Sequence, residues 1–337
     1  MDWRLLIEPT IKAGLLFFTL ATGFAYLTLF ERRVLARMQS RIGPNRVGPW
    51  GLLQPAADGI KLFFKEELIP ARADRALFVL APVITVIPAL IILAVIPFGP
   101  DLNLFGLTIS QSIAGDFNVG VLYLLAVSSI AVYGITLAGW SSGNKYALLG
   151  GLRAAAQMVS YELALGLTFV IPIILAGSMS LRDIVAAQQG LADWFIWKQP
   201  LGFLILFVAS IAEINRAPFD LPEAEQELVA GFHTEYSGMK FALFFMAEYI
   251  KMIAVSVIAV TFFLGGFWGP FVDSYPVLGP VYLVAKVVLL LFVIIWLRAT
   301  LPRLRYDRLM GLGWKILLPL SLVAVAWTAG YVVLVGG

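Results

Sequence analysis

The chain has 337 residues, 60% of them hydrophobic and 13% charged, with a formal net charge of +3 and a mean hydropathy of +0.89. Long apolar runs exclude a soluble globular protein, and their continuity excludes the short alternating segments of a β-barrel. They predict an all-α integral membrane protein. With no cysteine and His233 as its single histidine, the chain alone supplies no disulfide, iron–sulfur cluster, thiolate zinc site or bis-histidine haem.

About eight transmembrane helices are predicted in one polytopic domain covering 1–337: 11–30, 76–98, 117–139, 152–176, 200–214, 241–268, 279–298 and 314–334. Each approaches the ~20 residues needed to cross the hydrocarbon core. The fifth is short and runs on toward an acidic segment. Met1–Thr10 is mixed in character and ends in Glu8-Pro9, with no small-residue cleavage site after the first run, so no cleavable signal is expected.

After the first span, Arg41-Ile-Gly-Pro-Asn-Arg-Val-Gly-Pro49 is a turn-rich stretch carrying Arg41 and Arg46. Leu52, Leu53, Ala56, Ala57, Ile60, Phe63 and Phe64 follow at helical spacing, with Asp58, Lys61, Lys65 and Glu66 between them. This pattern predicts an amphipathic helix lying in the membrane interface. It either borders an opening for a lipid-soluble ligand or braces the membrane surface. Glu162 lies about ten residues into the fourth span. An ionised Asp, Lys or Arg at a helix centre costs ~2.5–3.5 kcal/mol on insertion scales, so an acid there marks an ion path or a hydrogen-bonded structural site.

The outer loop after the fourth span contains Trp194 and Trp197, and Trp268 follows the sixth span; all three read as interface anchors. Beyond the fifth span, Glu213, Asp220, Glu223, Glu225 and Glu227 fall within fifteen residues, and Glu235 extends the set. Pro218 and Pro222 interrupt any helix there. Irregular backbone at membrane depth survives only against protein or a water-filled cavity. Crowded carboxylates beside low dielectric couple their titrations and can carry protons, while a solvated acidic loop is the plain alternative. His233 reads as a polar loop residue. Glu248 and Lys251 stand i, i+3 in the sixth span, where one face can hold both as a pair. Lys286, in the seventh, sits ~10 Å from its outer end, close enough to snorkel.

Basic residues concentrate in the first and seventh loops, with Lys145, Arg153, Arg216 and Lys240 at the third and fifth. The other side carries only Arg4, Lys12, Arg182 and Lys198. The positive-inside rule puts the odd loops in the cytoplasm and both termini outside. The acidic run therefore stands on the basic face. No internal repeat, Gly-rich phosphate loop or nucleophile–base pair is present, and nothing suggests nucleic acid as a partner.

Four segments together carry a family resemblance. They are Glu31-Arg-Arg-Val-Leu-Ala-Arg-Met-Gln-Ser-Arg-Ile-Gly-Pro-Asn-Arg-Val-Gly-Pro49, Gly51-Leu-Leu-Gln-Pro-Ala-Ala-Asp58, the Glu213–Glu227 run continuing to Glu235-Tyr-Ser-Gly238, and Arg298-Ala-Thr-Leu-Pro-Arg-Leu-Arg-Tyr-Asp307. In this order they resemble the quinone-site membrane subunit of respiratory complex I, the proton-pumping NADH:quinone oxidoreductase. It is the H subunit in bacteria, with subunit 1 as its mitochondrial counterpart. The eight-span layout agrees, so the resemblance covers essentially the whole chain.

The resemblance implies a bacterial cytoplasmic membrane, or less favourably a mitochondrial inner one. It implies quinone as substrate, with no flavin, iron–sulfur cluster or metal bound by this chain alone. The partners it implies are soluble iron–sulfur-bearing subunits on the cytoplasmic side, proton-pumping membrane subunits and membrane lipids. Arg41, Arg46, Ala57, Asp58 and Phe232 would belong to the quinone chamber or its entrance. Glu162, Glu213, Asp220, Glu223, Glu225, Glu227, Glu235 and Glu248, with Lys251, would form the proton relay. Arg298, Arg303 and Arg305 would dock the soluble arm. An equivalent subunit of a related membrane hydrogenase, a free-standing cation transporter and a passive anchor are the alternatives.

Overall fold

The computed structural model describes residues 4–104, 107–113, 115, 117–221 and 229–335. Among them, seven helices are long and apolar enough to cross a membrane, and an eighth apolar helix is shorter. In chain order, helix α1 is Arg4–Met38, α2 is Gln54–Phe63, α3 is Arg75–Ile91, α4 is Gly120–Ser141 and α5 is Lys145–Ala176. Two short helices on one side, α6 (Leu181–Ala186) and α7 (Phe195–Lys198), lead to α8, Pro200–Glu213. Helices α9 (Gly238–Phe263), α10 (Leu278–Thr300), α11 (Tyr306–Gly311) and α12 (Leu318–Val335) complete the chain. Each of the eight expected spans falls on one of these elements. The only regular non-helical structure among the described residues is an antiparallel ribbon of Leu102–Leu104 and Leu107–Ile109 between α3 and α4.

The helices start and bend where the sequence allows. Asp74 caps α3, its carboxylate accepting from the Ala76 and Leu77 amides at 3.1 and 3.4 Å. Asn144 caps α5 by accepting from the Tyr146 amide at 2.9 Å. Helix α8 has 14 residues, about 21 Å of rise and too short for a ~30 Å core. The chain leaves helical geometry at Glu213 and turns through Ile214–Leu221 inside the protein.

In lipid there is no hydrophobic drive between helices, so close packing depends on small side chains. Gly150 of α5 lies against the turn at Gly231, where a Cβ would come within 2.8 Å of the Gly231 backbone and the Phe232 amide nitrogen. That close approach seats Phe232 between α4, α5 and α9. Gly51 has φ +71°, and a Cβ there would meet the Pro44 carbonyl oxygen at 2.3 Å. Only glycine lets the first loop fold back on itself before α2.

Helix α2 has no buried residue, and Ile60, Phe63 and Phe64 are all exposed. Its polar side is tied to α1: Arg32 Nη1 meets Asp58 Oδ2 at 2.5 Å, and Gln54 donates to Asp58 Oδ1 at 3.0 Å. An apolar face left bare beside a charged face anchored to a span is the geometry of the expected interfacial helix.

Three expectations need correction. Trp194 and Trp268 are half-buried rather than plain surface anchors, and only Trp197 is exposed. The indole of Trp194 lies 4.3 Å from the Lys286 ammonium. Lys286 in turn donates to the carbonyls of Leu264, Gly266 and Trp268 at 2.7, 3.0 and 2.6 Å. It caps the C-terminal end of α9, where a cation complements the exposed carbonyls. His233 is not a solvated loop residue. It is 9% exposed and packed among Phe232, Phe241 and Phe245.

A buried string of charges between the helices

The described half of the acidic segment is interior. Asn215, Arg216, Phe219 and Leu221 are buried. Gln157 of α5 donates to the Ala212 and Phe219 carbonyls, both at 2.8 Å, clamping the turn that follows α8. The seventh loop docks on the same turn through the Leu304 amide and Pro218 carbonyl at 3.0 Å and through Arg303 and Asp220 at 2.9 Å. A solvated loop is thereby excluded for 213–221. Glu223, Glu225 and Glu227 lie outside the described residues.

The carboxylates expected in the relay fall into neighbouring groups. Glu248 of α9 does not make the expected pair with Lys251. Its ion pair is with Arg216 Nε at 2.5 Å, because the turn after α8 brings a guanidinium against α9. Arg216 also reaches Glu31 of α1 at 3.2 Å, and its guanidinium carbon lies 4.5 Å from the Tyr249 ring centre. Glu31 is 3% exposed and accepts a second guanidinium, that of Arg298. Arg298 is thus committed to an internal carboxylate rather than to docking alone. Of the three expected docking arginines, Arg305 is the most exposed and meets only its neighbour Asp307, at 2.9 Å.

Glu213 and Lys251 form the next group. Both line two small cavities of about 30 Å³ each. One also touches Glu248, Asn215, Phe232 and His233. The other continues past Ser128 and Ser210 between α3, α4, α5 and α9. A cavity of that volume admits one or two waters when polar groups line it. Glu162 stands beside them on α5, accepting a hydrogen bond from the Ser129 hydroxyl of α4. Lys251 is within Coulombic reach of Glu213, Glu248 and Glu162. Glu235 lies apart. It accepts from Asn144 Nδ2 at 2.7 Å beside a groove of about 470 Å³ that Arg72 and Lys145 also line.

Around Phe232 the surroundings are aromatic and neutral. Phe232 packs edge-on against Phe244, with ring centres 5.4 Å apart. Burial pushes the His233 imidazole down to about 4, so it is neutral at pH 7. Tyr236 stacks on Phe78 at 4.0 Å and donates to the Phe78 carbonyl at 3.2 Å, and burial pushes its hydroxyl up to about 12. Arg41 and Arg46 are exposed in the first loop, and Ala57 is half-buried on α2. Phe232 is a buried residue in another part of the chain. The structure therefore does not bring all the expected chamber residues into one lined site within this chain.

Glu31, Arg216, Ser129 and Gln157 belong to the string and escaped the residue-by-residue reading. Arg216 could have been noticed as a cation inside the acidic run, and Glu31 as an acid immediately after an apolar span. Their mutual contact joins positions 185 residues apart and leaves no local sequence signal.

A bundle of membrane-spanning helices with a connected internal string of acids and bases is the architecture of a charge-coupling membrane protein. A family model described as NADH dehydrogenase matches residues 11–329. The H subunit of NADH-quinone oxidoreductase from Thermomicrobium roseum is 55% identical over 336 residues, covering 97% of each chain. An H subunit of the same name from Geobacter metallireducens is 56% identical over 94% of each chain. Its Geobacter sulfurreducens namesake is 53% identical over 96% of this chain and 94% of its own. The chain belongs to the NADH dehydrogenase family, that of the H subunit of NADH-quinone oxidoreductase, complex I.

Proposed function

We propose that this chain is the H-type membrane subunit of a proton-translocating NADH:quinone oxidoreductase in a bacterial cytoplasmic membrane, with both termini outside. In this reading the first loop, α2 and the Phe232 region form part of a quinone chamber closed by soluble iron–sulfur-bearing subunits. The internal charge string carries the consequence of quinone reduction toward proton-pumping membrane subunits. Electrons arrive from the partners. The contribution of this chain is a chamber wall and a relay.

The observation that carries the proposal is the position of Glu213 and Lys251 between two water-sized cavities, one of which reaches Phe232 and Glu248. A charge appearing at a quinone near Phe232 acts on this string through low dielectric, where interactions are strong and poorly screened. Among the described residues, four membrane-embedded carboxylates (Glu31, Glu162, Glu213, Glu248) face three cations (Arg216, Lys251, Arg298). A string with one carboxylate in excess is neutral only when it holds a proton. Buried charge that is not neutralised is costly. The excess proton is the species a relay would pass.

The test is Glu213→Gln and, separately, Lys251→Met in the intact complex reconstituted into vesicles. Quinone reduction and proton uptake are then read together. Both fall together if the string couples them. Full activity with full proton stoichiometry in both variants contradicts the role.

A further inference from the structure

A groove of about 1060 Å³ lies at the end of α1, between the first loop and α10, away from the charge string. Arg33, Arg37 and Arg41 line it together with Phe30, Trp50 and Phe292. Arg33 and Arg37 are i, i+4 on α1 and share a face. Among the described residues neither has a hydrogen-bond or ion-pair partner. Arg41 donates only to the Gln39 side chain, at 2.7 Å. This contrasts with Arg32 one residue earlier, which is paired with Asp58. A concave surface with two unpaired guanidiniums is built for an anion.

Depth identifies the kind of anion. The apolar stretch of α1 ends at Phe30, so Arg33 and Arg37 stand about 5 and 10 Å beyond it along the helix. That is the headgroup layer flanking a ~30 Å core. Trp50 and Trp296 are both exposed near this end, as aromatic side chains at a membrane–water boundary are. Below the groove, α10 presents Val281, Val284, Val288 and Phe292, all exposed, on a continuous apolar face. The groove is therefore charged at phosphate depth and greasy at acyl-chain depth.

We propose that this groove is a binding site for an anionic phospholipid. Arg33 and Arg37 hold its phosphate, Arg41 closes the outer rim, and its chains lie along the exposed face of α10. A phosphate can accept bidentate hydrogen bonds from a guanidinium. Basic pockets between helices at this depth are the usual site of headgroup selection. An acidic surface of a soluble protein matches the guanidiniums but not the apolar wall that continues below them.

The experiment uses the native membrane assembly containing this chain, in lipid nanodiscs. Two phospholipid probes carry the same photoreactive diazirine in one acyl chain, one with a glycerol headgroup and one with a choline headgroup. Labelled peptides are then mapped by mass spectrometry. The anionic probe labels the peptides containing 30–45 and 292 about tenfold more than the choline probe, while the two label Val281–Val284 equally. Arg33→Gln/Arg37→Gln removes the preference, and Arg33→Lys/Arg37→Lys retains most of it. Equal labelling of 30–45 by both probes in the unaltered assembly overturns the proposal. So does absence of label there, which would mean that protein covers the groove.

Discussion

Replacing Arg216 with methionine removes a cation that touches two buried carboxylates at once. Its side chain is 6% exposed, and those of Glu31 and Glu248 are 4% and 15% exposed. Removing one partner of a buried pair leaves an uncompensated charge and costs about 3–5 kcal/mol. Lost contact with the Tyr249 ring adds up to about 2 kcal/mol. Glu31 keeps Arg298, so most of the penalty falls on Glu248. Adding Glu248→Gln to Arg216→Met should then return about 1–3 kcal/mol, the range of coupling between residues in direct contact. The assay is denaturant resistance of the purified assembly, followed by tryptophan fluorescence and retention of this chain, for both single variants and the double. A double variant as unstable as the sum of the two singles would refute the pairing of Arg216 with Glu248.

Two further predictions concern the chamber side. His233 has its pKa lowered from 6.5 to about 4 by burial, so the unfolded chain binds the proton first as pH falls. Its contribution is fully present above pH 6.5 and is lost toward pH 4. Between pH 8 and pH 5 the wild type should lose about 2 kcal/mol more stability than His233→Gln. Thermal melts across that range check the sign, and parallel curves for the two proteins contradict it. Ala57→Phe on α2 should slow turnover with long-tailed quinones several-fold more than with short-tailed ones. Equal slowing would argue against an entrance beside this helix.

Much of the fold was legible because the dominant forces are local. Apolar runs placed the spans, the 3.6-residue period marked α2, and Pro218 with the brevity of the fifth run marked the break after α8. The acids were legible as types, since a carboxylate at membrane depth is conspicuous against an apolar background. Their partners were not. Arg216 meets Glu31 across 185 residues, and the packing of α1, α9 and α10 around the turn after α8 decides that contact. The i, i+3 spacing of Glu248 and Lys251 suggested a pair, but a guanidinium delivered by another segment takes Glu248 instead. Lys286 illustrates the same limit. Its position suggested snorkelling, whereas the three carbonyls it binds come from the end of a different helix.

The central claim is that Glu213 takes part in proton movement when quinone is reduced near Phe232. The most direct measurement is a redox-difference infrared spectrum of the intact complex, comparing wild type with Glu213→Gln in light and heavy water. The account predicts a carboxylic C=O band that shifts with isotope, changes on quinone reduction and disappears in the variant. A difference spectrum identical in the two proteins, with proton pumping intact in the variant, would contradict it.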